Sequence, residues 1–116
     1  MAVNITLWHN PRCSKSRQAL ALLTEHGCSV TILKYLETPP NHDDIQQVAA
    51  KLNRPLIDMI RVKDAAFKEL QIDPGSDDAT LIAAMVKAPA IIERPIAISH
   101  DAARLGRPPE DVLELL

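Results

Sequence analysis

A strand, a helix and a second strand follow one another in the first 33 residues, and this pattern restricts the fold more than any other sequence feature. Asn4–Trp8 alternates and is rich in β-forming residues, which predicts a strand. Residues 14–26 carry an apolar stripe and end before Gly27, as expected of a helix. Ser29–Leu33 is a second β-rich run. Two strands joined in this way are expected to be parallel, with a right-handed crossover.

The middle of the chain is predicted to be a helical block. Asn41 is expected to cap a helix, because acidic residues follow it and apolar residues then recur at helical spacing. Further helical segments are expected at residues 55–60, 64–71 and 77–87. Strand character returns at residues 90–92 and 95–99, and a final short helix is expected near Pro109. This order predicts an α/β, thioredoxin-like fold with a helical insertion, at about residues 41–88, between the second and third strands.

Composition and charge disfavour several classes of protein. The 116 residues are 47% hydrophobic and 24% charged, which is typical of one soluble globular domain. The 13 Lys and Arg residues against 15 Asp and Glu give no general basic surface for nucleic acid. No apolar run reaches the roughly 18 residues of a membrane span, and residues 1–8 lack the features of a signal peptide. We therefore expect a single cytoplasmic domain, residues 1–116, that binds neither nucleic acid nor membranes.

Cys13 lies where the first strand is followed by the first helix. The free N–H groups and the positive end of a helix stabilise an anion, so a thiol there is biased towards the thiolate. Arg12, Lys15 and Arg17, with His9, are expected to act in the same direction. Because the thiolate is the nucleophilic form of cysteine, we predict that Cys13 is a nucleophile.

Cys28, the second cysteine, is predicted to be structural. It follows the first helix, and a helix of about 13 residues is about 20 Å long, whereas a disulfide needs Cα atoms within about 7 Å. Ser16 stands where a Cys-x-x-Cys enzyme has its second sulfur. A mixed disulfide on Cys13 must then be cleared by an outside thiol, such as glutathione or a glutaredoxin.

Other chemistries fit the sequence less well. A Cys-x5-Arg phosphatase loop is absent, since Arg17 comes too early. Four scattered histidines and no Cys-x-x-Cys give no zinc set, and three glycines give no phosphate loop. We expect no bound metal or cofactor.

Several motifs occur in register across nearly the whole chain. They are His9-Asn10-Pro11 before Cys13 with Ser16-Arg17 after it, Tyr35-Leu36-Glu37-Thr38-Pro39-Pro40, Ile60-Arg61, Glu93-Arg94-Pro95-Ile96 and Leu105-Gly106-Arg107-Pro108. Together these motifs resemble the glutaredoxin-coupled arsenate reductases, or ArsC-like proteins. Ser14-Lys15 after the cysteine resembles a housekeeping sister branch of that family.

The resemblance implies a catalytic thiolate at Cys13 and three oxyanion-binding arginines, Arg61, Arg94 and Arg107. Guanidinium groups are planar and permanently charged, so they can hold the oxygens of a tetrahedral oxyanion. Arg104 competes with Arg107 for this role.

The remaining site residues also follow from the resemblance. His9 is expected to assist thiolate formation as a nearby cation. Ser16 and Arg17 are expected to be structural at the site, together with Pro95, whose peptide bond with Arg94 is expected to be cis.

The reaction implied by the resemblance begins with a Cys13–S–As adduct between the protein and arsenate. Glutathione, as co-substrate, then reduces the arsenic, and glutaredoxin clears the mixed disulfide while arsenite is released.

Two alternatives remain open. One is another glutathione-linked thiol oxidoreductase, and the other is a redox-sensing regulator that resembles Spx and binds RNA polymerase. Ser16 disfavours a dithiol switch of the second kind.

Overall fold

The structure, a computed structural model, describes residues 3–116; Met1 and Ala2, at the start of the segment considered for a signal peptide, lie outside the described residues. The chain divides into two compact units. The first contains the chain up to Thr38 together with Arg94–Leu116, and the second is Pro39–Glu93. The second unit spans the region predicted to be an insertion. The single domain over residues 1–116 stays a prediction.

The first unit contains a four-stranded sheet in the order β2-β1-β3-β4. Strand β1 (Asn4–Trp8) leads into helix α1 (Ser14–Glu25), which returns the chain to β2 (Ser29–Leu33). The two strands are parallel and pair residue for residue from Asn4 with Ser29 to Trp8 with Leu33. The strand, helix and strand predicted from the first 33 residues, and their parallel pairing, are confirmed.

The last part of the chain completes this sheet. Strand β3 (Ile96–Ile98) runs antiparallel to β1, and β4 (Ala103–Leu105) runs antiparallel to β3. A 3₁₀ helix at Pro109–Leu115 occupies the position of the predicted final helix. The sheet is therefore mixed. The chain enters β3 and leaves β4 at the same end of the strands, next to the end of β1.

The core of the first unit lies between the sheet and two helical segments. Ile5 and Leu7 are two residues apart on β1, so both side chains point to one face, and Ala19 and Leu23 are one turn apart on α1. The buried residues that form one cluster are Ile5, Leu7, Ala19, Leu23, Ala97 and Val112. Because the cluster includes α1, two strands and the C-terminal 3₁₀ helix, it fixes the start of α1 relative to the sheet.

The second unit is helical. Its elements are α2 (His42–Leu52), a 3₁₀ helix at Leu56–Met59, α3 (Ala65–Glu69), α4 (Asp78–Lys87) and a 3₁₀ helix at Pro89–Ile91. Asn41 caps α2 as predicted: its side chain accepts from the N–H of Asp44 at 2.8 Å, and the Asp44 carboxylate accepts from the N–H of Asn41 at 3.0 Å. No helix within residues 3–116 is long and apolar enough to cross a bilayer.

The strand predicted at residues 90–92 is wrong. Pro89–Ile91 forms a 3₁₀ helix, and Ile92 joins Ile60 through an isolated antiparallel bridge. A short apolar run fits a buried helical turn as well as a strand, and Pro89 favours the first position of a helix. Strand β4 was missed, since three residues centred on Arg104 carry too little β pattern to be recognised.

Gly106 is required by a close approach to Pro95. A Cβ at position 106 would lie 2.5 Å from Cγ and 3.1 Å from Cδ of Pro95, and 3.2 Å from a methyl group of Val112. Because the proline ring is rigid, Gly106→Ala is expected to lower the free energy of unfolding by about 1–3 kcal/mol through overpacking. Urea denaturation monitored by circular dichroism measures this change.

Gly75→Ala provides the matched control for this prediction. A Cβ there would approach only the flexible Asp73 carboxylate, at 3.3 Å. Equal losses of stability in the two variants would contradict the role assigned to the contact between Gly106 and Pro95.

Candidate active site

Cys13 is the N-cap residue of α1. Its backbone is extended, with φ −92° and ψ 123°, and its carbonyl accepts from the N–H of Arg17 at 3.0 Å to start the helix. Its own N–H donates to the carbonyl of Asn10 at 3.0 Å, which closes the turn after β1. The half-buried sulfur therefore lies at the N-terminal end of the helix, where free N–H groups are available.

The surroundings of Cys13 lower the pKa of its thiol. Burial opposes ionisation, but N–H groups of Ser16 and Lys15 and the side chain of Arg94 donate to the sulfur, and the charge of Arg107 adds to their effect. These favourable interactions outweigh the burial, so the pKa falls below that of an ordinary cysteine. The direction agrees with the nucleophile predicted from the sequence.

Arg94 and Arg107 reach the sulfur from the other end of the sequence. Nη2 of Arg107 lies 3.8 Å from Sγ of Cys13, and its Nε donates to the Arg94 carbonyl at 2.9 Å. The Gly106 N–H donates to the Pro95 carbonyl at 2.9 Å, which ties the two segments together. The Arg94–Pro95 peptide bond is cis, as the resemblance implied, and the Arg107–Pro108 bond is cis as well.

Tyr35 interacts with Arg94, a role that the sequence analysis did not assign. Burial opposes the charge of Arg94, yet its pKa is raised, because Tyr35 and Cys13 interact favourably with the guanidinium. Tyr35 lies two residues after the end of β2 and is fully buried. A buried tyrosine usually has a partner for its hydroxyl, but the sequence signalled Tyr35 only as the first residue of the motif at positions 35–40.

His9 and Ser16 form a buried pair behind the thiol. The Ser16 hydroxyl accepts from the N–H of Asn10 at 3.1 Å and lies 2.6 Å from Nδ1 of His9. Burial lowers the pKa of His9, and the charges of Lys34 and Arg17 lower it further, which favours the neutral ring. A neutral imidazole can accept a hydrogen bond from the Ser16 hydroxyl at Nδ1. The lowered pKa disfavours the cationic form of His9 that the sequence analysis expected, and the role of His9 in thiolate formation stays a prediction.

Arg17 braces the turn rather than facing the sulfur. Its Nη1 donates to the Pro11 carbonyl at 2.8 Å, while the Asn10 side chain accepts from the N–H of Arg12 at 3.0 Å. These two bonds shape the loop between β1 and α1. The structural role predicted for Arg17 is in line with this geometry and stays a prediction.

The other two candidate arginines, Arg61 and Arg104, form ion pairs with acidic side chains. Arg61 lies in the second unit, where its guanidinium pairs with Asp64 at 3.3 Å and with Glu93 at 3.1 Å. Arg104, on β4, pairs with Glu114 at 3.2 Å. Of the two arginines considered for one position, Arg107 is the one in contact with Cys13. The oxyanion-binding role of Arg61 stays a prediction.

Cys28 lies at the other end of α1. The 12 residues of α1 correspond to about 18 Å at 1.5 Å per residue. Cys28 packs against the core cluster, and burial raises the pKa of its thiol. This environment favours the protonated, less reactive form. Within residues 3–116, no group of three or more His, Cys, Asp or Glu residues is placed to hold a metal ion.

This arrangement can carry out nucleophilic chemistry on an anion. The Cys13 sulfur supplies the electron pair, and Arg94 and Arg107 supply positive charge beside it. Guanidinium groups that stabilise the thiolate can also bind the oxygens of an incoming oxyanion and the negative charge that develops on them.

Comparison with known proteins agrees with this geometry. The family model described as the ArsC family matches residues 8–115. The chain belongs to the ArsC family. Its mixed α/β structure, with the four-stranded sheet, is the thioredoxin-like fold of that family, as predicted.

Individual relatives match over at least 97% of their length. A Neisseria meningitidis protein named arsenate reductase is 43% identical over 97% of each chain. The Escherichia coli protein named uncharacterized protein YfgD is 40% identical, and the match covers all of this chain and 99% of that protein. The structure of an arsenate reductase from Vibrio cholerae has a TM-score of 0.95 and 42% identity, with both chains completely covered.

The pH dependence of Cys13 alkylation tests the electrostatics of the site. In a Cys28→Ala background, the rate with iodoacetamide is expected to reach half its maximum below the pH of about 8.5 typical of a free cysteine. Arg107→Gln removes a positive charge beside the sulfur, which raises the pKa. The rate at pH 7 should then fall, by up to about fivefold for a partly exposed charge pair.

Arg104→Gln is the control, since it removes an arginine that pairs with Glu114. A midpoint that shifts equally in the two arginine variants would show that only overall charge matters.

The contact between Tyr35 and Arg94 is tested by a double-mutant cycle. Tyr35→Phe removes the hydroxyl and keeps the ring, so it should lower the free energy of unfolding by about 1–3 kcal/mol, because a buried hydrogen-bonding group loses its partner. The same substitution in an Arg94→Met background should cost clearly less. Urea titrations of the four proteins give the coupling. Strict additivity would contradict the contact.

Proposed function

We propose that this protein is an arsenate reductase that works with glutathione and glutaredoxin. The observation that supports this proposal most directly is the cluster of Cys13 with Arg94 and Arg107, in which Nη2 of Arg107 lies 3.8 Å from the sulfur. A thiolate beside two guanidinium groups suits attack on the central atom of a tetrahedral oxyanion. Relatives at about 40% identity that are named arsenate reductase support the same substrate.

The first step forms the Cys13–S–As bond. The thiolate lone pair of Cys13 attacks the arsenic of dihydrogen arsenate, and one arsenate oxygen leaves as water with the two protons that the arsenate held. Arg94 and Arg107 stabilise the negative charge on the remaining oxygens as this oxygen leaves. The lowered pKa of Cys13 increases the fraction of the reactive thiolate at a given pH.

The second step transfers two electrons to arsenic. A glutathione thiolate attacks the sulfur of Cys13, an S–S bond forms, and the electron pair of the S–As bond stays with arsenic, which leaves as arsenite. Glutaredoxin then takes the glutathionyl group from Cys13 and restores the thiol. The outside thiol is required because Ser16 has no thiol and Cys28, the other cysteine, lies at the far end of α1.

The remaining residues have supporting roles in this proposal. His9 holds the Ser16 hydroxyl and thereby the turn that presents Cys13. Arg17 and Pro95 maintain the loops that carry Cys13 and Arg94. Arg61 is proposed as a third oxyanion-binding arginine. The site uses no bound metal or cofactor, and the reaction takes place in the cytoplasm, where glutathione is abundant.

Arsenate-dependent oxidation of NADPH tests the proposal. The assay contains glutathione, glutaredoxin and glutathione reductase, and it compares the native chain with Cys13→Ser, Arg94→Ala and Arg61→Ala. Turnover should vanish with Cys13→Ser. It should fall by about 100-fold with Arg94→Ala, the usual effect of removing one group that stabilises transition-state charge. Arg104→Ala, which removes the arginine paired with Glu114, should retain near-native turnover.

Two outcomes would contradict the proposal in different ways. If folded protein with a reactive Cys13 shows no turnover, arsenate is the wrong substrate. If turnover requires thioredoxin and thioredoxin reductase in place of glutathione and glutaredoxin, the reductase activity stands and the reductant is wrong.

A further inference from the structure

A cavity of about 420 Å³ lies in the first unit beside the loop that carries Cys13. One wall is the β1–α1 loop, residues 9–12, and the other is formed by Lys34, Leu36 and Glu37, which follow β2. The His9 N–H donates to the Leu33 carbonyl at 2.9 Å, so the parallel pairing of β1 and β2 continues into the cavity and fixes both walls. Its volume falls in the roughly 300–1,000 Å³ range of small-ligand sites.

The side chains of this cavity carry a specific set of charges. Arg12 and Lys34 supply two exposed cations, and Glu37 supplies one exposed anion. Leu36, 46% exposed, adds an apolar surface, although large apolar side chains are usually less exposed. The turn that presents these groups is held by the Lys34 carbonyl, which accepts from the N–H of Glu37 and of Thr38, both at 2.9 Å.

We propose that this cavity binds glutathione and presents its thiol to Cys13. Glutathione carries two carboxylates, one ammonium group and a flexible backbone. Arg12 and Lys34 match the carboxylates, Glu37 matches the ammonium group, and Leu36 contacts the central part of the peptide. The charge pattern of the cavity is thus complementary to this tripeptide and includes a partner for each of its ionised groups.

The position of the cavity relative to Cys13 fits such a role. Arg12 precedes Cys13 directly, and the carbonyl of Asn10, another wall residue, accepts the Cys13 N–H at 3.0 Å. Consecutive Cα atoms are about 3.8 Å apart, so the Cα atom of Cys13 lies one residue from the wall of the cavity. Arg94 and Arg107, which contact Cys13, do not line this cavity, and the oxyanion and the tripeptide therefore use different groups.

The chemical step at this site is a thiol exchange. The glutathione thiolate attacks Sγ of Cys13 when that sulfur is bonded to a leaving group. An S–S bond forms between glutathione and Cys13. The bond from Cys13 to the leaving group breaks, and its electron pair stays with the leaving group. In the proposed function, on which the biological meaning of this site rests, the leaving group is arsenite. The exchange itself needs no arsenate, which allows a separate test.

The test uses a 2-pyridyl mixed disulfide on Cys13 in a Cys28→Ala background. Release of thiopyridone, measured by absorbance, reports attack on Cys13 by an added thiol. The rate with glutathione is divided by the rate with 2-mercaptoethanol, which is neutral and small. This ratio cancels changes in the reactivity of Cys13 and isolates recognition of the tripeptide.

Charge reversal in the cavity should change this ratio. Lys34→Glu is expected to lower it by about fivefold or more, since an attractive charge pair becomes repulsive, and the difference should shrink at high salt. Arg12→Glu should act in the same direction. Lys68→Glu on α3 makes the same charge change at an exposed lysine outside the cavity and should leave the ratio unchanged.

Two results would overturn the proposal. The first is an unchanged ratio in both Lys34→Glu and Arg12→Glu; if these variants also slow the removal of the glutathionyl group from Cys13 by glutaredoxin, the cavity is a docking surface for that protein. The second is an equal fall in Lys68→Glu, which would indicate a general charge effect. Because arsenate is absent, failure of this test and failure of the arsenate assay are distinguishable.

Discussion

The stabilisation of negative charge on the Cys13 sulfur is the interaction on which the rest of the site depends. Burial alone would keep the thiol protonated, so the N–H groups at the start of α1 and the charges of Arg94 and Arg107 must outweigh it. The helix dipole is available because Cys13 is the N-cap residue, and the core cluster of Ile5, Leu7, Ala19 and Leu23 holds that helix end against the sheet. Local backbone structure and long-range packing thus act on the same atom.

The two arginines contribute only because several contacts keep them beside the sulfur. Arg107 donates to the Arg94 carbonyl, the Gly106 N–H donates to the Pro95 carbonyl, and Tyr35 interacts with the Arg94 guanidinium. A flexible cation would lose much side-chain entropy on meeting the thiolate, whereas a cation held in advance loses little. The same preorganisation favours binding of an oxyanion. The cavity beside the β1–α1 loop carries two further cations, Arg12 and Lys34, which we propose bind a peptide thiol.

Much of the fold could be predicted because its signals are local. The bounds of β1 and β2 match their sequence patterns, and the Asn41 cap follows from side-chain chemistry within one turn. The errors occur where local patterns are ambiguous. Residues 90–92 are apolar and β-like but complete a 3₁₀ turn, while β4 is three residues long and exists because it pairs with β3. Short elements of this kind are decided by their partners.

The sequence by itself determined that Cys13 is a thiol at a strand-to-helix junction with no second sulfur nearby, because residue order and secondary structure are enough to place it. Only the tertiary structure decided which cations reach it. Neighbours in the chain were expected to do so, but Arg17 donates to the Pro11 carbonyl, and the cations at the sulfur come from positions 94 and 107.

The choice between Arg104 and Arg107 depended on the pairing of Ala97 with Arg104, which leaves Arg107 beyond the end of the strand. His9 likewise became a neutral hydrogen-bond partner once burial and neighbouring charges had lowered its pKa. Charge interactions depend on distance and burial, and the packed chain alone sets both.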